Sequence, residues 1–172
     1  MKATAGKAGG NGNGKKRTPR HVLPRRLASR LGAVQALYQM EVAQTPLNEV
    51  LAEFASRRVG EELENGQCGF PDNALLQDIV RGVLRHQKAI DREIQRHVRV
   101  GWELPKLDAT MRALLRAGTY ELMQRRDIPA RAIISEYVQV AQAFFGDGDA
   151  RRFANGVLDA VARDFRAAEL KR

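Results

Sequence analysis

An all-α fold is what this sequence predicts, on three observations. Apolar residues recur at i, i+3, i+4 and i+7 over long segments. No stretch alternates with period 2 or carries a two-residue hairpin turn. The connections between periodic segments are short, so consecutive helices should pack side by side. With 172 residues, 44% of them hydrophobic, the chain has room for one domain with a core of its own. No apolar run approaches the roughly 18 residues of a membrane span, and the basic N-terminus has no apolar segment after it to make a secretory signal. The lone Cys68 cannot form an internal disulfide, so a soluble cytoplasmic protein is expected.

Residues 1–22 are rich in Gly, Asn and Lys and hold almost nothing to bury, so they read as a disordered basic leader ahead of a domain spanning 23–172. The first helix should run from Pro24 to Gln44, burying Leu27, Leu31, Val34, Leu37, Tyr38 and Met40, with Pro24 suited to its first turn. Thr45-Pro46 restarts a helix whose stripe is Leu47, Val50, Leu51 and Phe54. VGEELENGQCGFP breaks the pattern as a loop, and Asp72 or Asn73 then caps a long helix from Leu75 to Val98. Asp108 caps the next, in which Met111, Leu114, Leu115, Gly118 and Leu122 share a face until Pro129 stops it. Ala130 to Phe145 follows. GDGD is a turn, and the last helix starts near Asp149, with Phe153, Val157, Leu158, Val161 and Phe165 inward.

The net charge of +9 has an address. Nine cations, from Lys2 to Arg30, precede the first acid, Glu41; removing them from the 29 Lys and Arg leaves 20, equal to the Asp and Glu. A basic arm on a balanced body is an anion-binding device, and since Arg25, Arg26 and Arg30 continue it into a helix, nucleic acid is the expected partner. Catalysis is not expected. His21, His86 and His97 are scattered, Cys68 has no CxxC partner, and there is no Walker loop, dinucleotide fingerprint or GxSxG, so neither metal nor cofactor is predicted.

Two places run against local preference. Arg151 and Arg152 open the last helix, where the macrodipole disfavours cations. Either the acids of GDGD offset them, or they contact an anion beside Phe153, an aromatic that can stack on a base or belong to the core. Asn155-Gly156 lies inside the same helix, where such a glycine admits another helix or a kink.

RRLASRLGAVQALYQMEVAQ, LLRAGTYELMQRRDIPARAIISEYVQVAQAFFG and DARRFANGVLDAVA, in that order from about Arg25 to Phe165, resemble the NusB family of bacterial transcription antitermination factors. AVQALY and FANGVLD are the most specific pieces. The resemblance implies a seven-helix all-α fold. It also implies pairing with NusE, the tenth protein of the small ribosomal subunit, binding to the single-stranded box A element of nascent ribosomal RNA, and assembly with other Nus factors on RNA polymerase. By position it implies RNA contacts at Arg25, Arg26, Arg30, Asp149, Arg152 and Phe153, with Tyr38 matching a family tyrosine. It places the ribosomal-protein contact on the helix of Met111, with Arg112 and Arg116 as exposed candidates. The leader here is longer than the family's, and Leu27-Ala28-Ser29 interrupts the arginine cluster.

Two other readings are open to such a chain. One is the RNA-binding helical module attached to some ribosomal RNA cytosine methyltransferases, although no methyl-donor loop or catalytic cysteine is present. The other is a structural helical homodimer, an assembly the family also allows. On the RNA reading, the early cations and the arginines of the last helix should converge into one strip.

Overall fold

The computed structural model describes residues 22–61 and 68–171. The leader, apart from Val22, lies outside them, as does the middle of the loop before Asp72. Six α-helices follow in order: α1 Arg25–Val42, α2 Leu47–Ala55, α3 Asn73–His97, α4 Ala109–Gln124, α5 Ala130–Phe145 and α6 Asp149–Leu170. The seven helices implied by resemblance are thus six among the described residues. Between α3 and α4 the chain makes only one 3-10 turn, Leu104–Lys106, where Pro105 takes a position needing no N–H donor. Among the described residues strand pairing is limited to the isolated bridges Val22–Cys68 and Val59–Gly69.

Sequence sets the boundaries through capping. The Asp72 carboxylate accepts from the N–H groups of Ala74 and Leu75, and Asp108 does the same for Thr110 and Met111. Proline stands immediately before α1, α2 and α5, restricting the extended residue that feeds each helix. The turn into α6 runs through Gly146 and Gly148 at φ of 73° and 135°, which L side chains rarely adopt.

α4 is the spine of the molecule. It packs against α1, α3, α5 and α6, and Leu114, Leu115 and Leu122 are fully buried. Each such leucine contributes about 1.5–3 kcal/mol. Two glycines permit the close approaches. A Cβ on Gly82 of α3 would lie 2.1 Å from the Tyr120 ring, and one on Gly118 would lie 2.8 Å from Leu158. Gly156 differs: a Cβ there meets nothing within 4 Å, so no helix approaches it, and the non-helical residue of α6 is Arg166 instead.

Candidate nucleic-acid interface

At the head of α1, Arg25 and Arg26 are exposed and make no ion pair among the described residues. Their helix is pinned by Ser29, whose hydroxyl donates to the Asp72 carbonyl and accepts from the Asp72 N–H at 2.7 Å. Arg26 adds its field to the turn after α4, where Asp127 is held at about 2, chiefly by its hydrogen bond from Arg125. Arg125 also reaches Asp78, to which the Tyr120 hydroxyl donates. Burial and then Asp78 push the Tyr120 phenol up to about 12, against the opposing fields of Arg125 and Arg85.

Arg30 does not belong to this surface, which corrects the sequence reading. It is 1% exposed. Its Nε and Nη2 form a fork on Glu121 at 2.9 and 2.8 Å, Nη1 pairs with Glu136, and the guanidinium lies 5.9 Å from the Tyr137 ring centre. Burial works against its charge, but the carboxylates outweigh it and raise the guanidinium's pKa further. One turn inward along α1, an arginine has become a structural ion.

The start of α6 holds the second group. Asp149 and Arg152 are exposed and paired with each other, and Arg151 pairs with Asp147 at 2.9 Å, so the GDGD acids do offset these cations. Phe153 is half-buried, and its ring lies against Trp102 at 5.7 Å between centres and 38° between planes. Trp102 is 51% exposed. Together with His97, Arg99, Arg152, Gly156 and Val157, the two rings line an open cleft of about 360 Å³. Its two aromatic faces and two guanidinium groups can stack and neutralise a nucleotide. Trp102 and Arg99 escaped the sequence reading because they sit where the α3 periodicity fails. The usable signal was a tryptophan in a polar, Gly-containing loop.

The expected convergence does not occur. Arg26 acts on the 125–128 turn, where Arg166, from the far end of α6, donates to the Ile128 carbonyl at 2.6 Å. From Arg152 to Phe165, α6 rises about 20 Å. The leading arginines and the cleft therefore occupy different regions of the molecule.

The helix offered for a protein partner is also largely spoken for. Met111 is buried at 5%. Arg112 pairs with Glu41 and donates to the Leu107 carbonyl at 2.5 Å, and Arg116 bridges Glu41 and Asp91 at 3.0 and 2.7 Å. Their side chains are 11% and 16% exposed, so they tie α4 to α1 and α3 rather than standing free. Tyr38, by contrast, is 40% exposed, at the edge of an apolar groove with Val42, Phe54 and Phe144.

His97, Glu93 and Asp164 form a group in which both carboxylates approach the His97 Nε2, at 3.0 and 2.9 Å. Arg96 bonds Glu93 at 2.9 Å and lies 3.7 Å from Asp164, so these acids have cationic partners within the protein and link α3 to α6 behind the cleft. No helix is long and apolar enough to cross a membrane among the described residues.

The profile of the NusB family matches residues 27–163. The transcription antitermination protein NusB of Rhodopseudomonas palustris (strain BisB18) is 49% identical over 148 residues, covering 86% of this chain and 87% of that protein. The structure of T. maritima NusB superposes with a TM-score of 0.68 at 26% identity, covering 87% of this chain and 99% of that one. A crystal structure of antitermination factors NusB and NusE in complex with dsRNA shares the fold, with a TM-score of 0.63 at 20% identity over 81% of this chain and 96% of that one. The chain therefore belongs to the NusB family, whose members are RNA-binding transcription antitermination factors and not enzymes.

Proposed function

We propose that this protein binds box A of nascent ribosomal RNA transcripts together with the ribosomal protein NusE, in the cytoplasm, and joins the other Nus factors on RNA polymerase to suppress termination. The observation that carries this reading is the Trp102–Phe153 cleft flanked by Arg99 and Arg152, in a chain of the NusB family. The arginines supply phosphate neutralisation, which releases counterions and gives affinity without sequence choice. The rings supply stacking on unpaired bases, which favours a single strand over a stacked duplex. The solved NusB–NusE complex with RNA supports pairing between this chain and its own NusE. Domain organisation follows the same reading: a basic leader over 1–22 increases the local concentration of RNA near a helical domain over 23–172.

The test is affinity for box A RNA and for a scrambled sequence, with and without NusE, using wild type and Trp102→Ala. Loss of one stacking ring lowers affinity by roughly 5- to 150-fold, and NusE should sharpen preference for box A. Equal affinity for both sequences in the presence of NusE overturns the box A assignment, whereas full affinity in Trp102→Ala removes the cleft from the site.

A further inference from the structure

The balance of acids and bases beyond residue 31 hides an asymmetry on α3. Arg81, Arg85, Lys88, Arg92, Arg96 and Arg99 recur at spacings of four, three, four, four and three. That spacing holds the five within α3, Arg81 to Arg96, in a narrow arc of one helix face, and Arg99 follows just beyond the helix end at His97. All six are exposed. Two acids of α3 pair off the stripe, Asp78 with Arg125 and Tyr120 and Asp91 with Arg116, while Glu93 pairs with His97 and with Arg96 of the stripe. Arg81, Arg85, Lys88, Arg92 and Arg99 make no ion pair among the described residues.

The contrast with the rest of the surface is informative. Several surface arginines elsewhere take an acid three or four residues away: Arg57 with Glu53, Arg58 with Glu61, Arg151 with Asp147, Arg163 with Asp159. On α3 the same spacings place cation beside cation, an arrangement that destabilises an isolated helix. Nothing in the packing calls for it, since these side chains face solvent.

The stripe also has two defined ends. At the N-terminal end of α3 the N–H of its cap Asp72 reaches the Ser29 hydroxyl at 2.7 Å and the Arg25 carbonyl at 3.4 Å, which sets that end beside the head of α1. At the other end, Arg99 lines the cleft of Trp102 and Phe153. From Arg81 to Arg96 the stripe rises about 22 Å along α3, and Arg99 extends it past the helix end at His97. It thus bridges the two cationic regions that were expected to meet directly.

We propose that the exposed face of α3 is a track for the phosphodiester backbone of single-stranded RNA, running from the Trp102–Phe153 cleft toward the head of α1. The proposal rests on the RNA-binding reading of the cleft and extends it. Phosphates meet successive cations without base readout, so the track lengthens the footprint and adds salt-sensitive affinity while sequence choice stays with the cleft.

The test uses the full-length chain and two single-stranded RNAs, of about six and about 16 nucleotides, with affinity measured against salt. One variant carries Arg81→Gln, Arg85→Gln, Lys88→Gln and Arg92→Gln. A control of equal net charge carries Arg57→Gln, Arg58→Gln, Arg131→Gln and Arg163→Gln. All are surface changes, and circular dichroism melts establish that each variant is folded. On the longer RNA, the track variant should lose up to about 2.8 from the slope of log affinity against log salt, four contacts at about 0.7 each. The control should lose much less, and the short RNA should distinguish the two only weakly. Equal slopes for track variant and control overturn the track while leaving the cleft reading intact. If the track variant keeps its slope but fails to capture NusE, the face belongs to a protein partner and the track is likewise overturned. Failure of the wild-type chain to bind either RNA overturns both readings.

Discussion

At Arg30, a residue counted with the RNA-binding arginines proves to hold three helices together. Its partners come from α4 and α5, and Glu121 is itself fully buried. Arg30→Ala should therefore cost about 3–5 kcal/mol, because it strands a carboxylate in the interior. Replacing both partners, Arg30→Met with Glu121→Leu, should recover much of that loss. Urea denaturation reads both, and a midpoint for Arg30→Ala equal to wild type would show that the pair is dispensable. The sequence could place Arg30 off the main apolar stripe of α1, yet 91 residues separate it from the acid that buries it. Local periodicity carries no information about such a partner. Trp102 is the opposite case, visible in the sequence but lacking a periodic context to assign it a face.

Among the helices, the tie between α1 and α4 is ionic at its outer end. Glu41 receives Arg112 and Arg116, and the hydrogen bond from Arg112, with the fields of both cations, holds its carboxyl below the ordinary 4.5 despite partial burial. A carboxyl whose folded pKa is depressed contributes stability that is fully present above the unfolded value and is lost as pH falls through the folded one. Glu41→Gln should thus be less stable than wild type at pH 7, by on the order of 1 kcal/mol because solvent screens the pair. Below the unfolded carboxyl's 4.5, the gap should shrink and then close. Thermal melts of both proteins from neutral to acid pH check this, and a gap independent of pH would rule the ion pair out as its cause. Caps and stripes made these helices legible: Asp72, Asp108 and Pro129 marked boundaries that the structure keeps. Among the described residues the helices number six rather than the seven implied by resemblance, and Leu104–Lys106 adds only a single 3-10 turn.

For the molecule as a whole, the division of labour is between a helical body organised on α4 and cations distributed around it. The leading arginines remain outside that body's ion-pair network, as do the unpaired cations of α3, so both groups are free to meet phosphate. Arg25→Ala with Arg26→Ala should lower the salt slope for box A RNA by about 1.4, two contacts at about 0.7 each, with no change in melting temperature. An unchanged slope would withdraw both from the site. The all-α architecture and its family were readable from repeated spacing and from AVQALY and FANGVLD. The layout of charge was not, because the balance beyond residue 31 sets α3's exposed cations against acids spread over the rest of the chain, although they face different surroundings.

The indole of residue 102 is the only one in the chain. Its half-exposed place against Phe153 makes the protein's intrinsic fluorescence a readout of a single location. Emission wavelength and quenching by soluble iodide will therefore follow occupancy of that location without any attached dye, undiluted by other indoles. Titrations can be followed optically in the unlabelled chain, provided excitation is chosen where nucleobases absorb little.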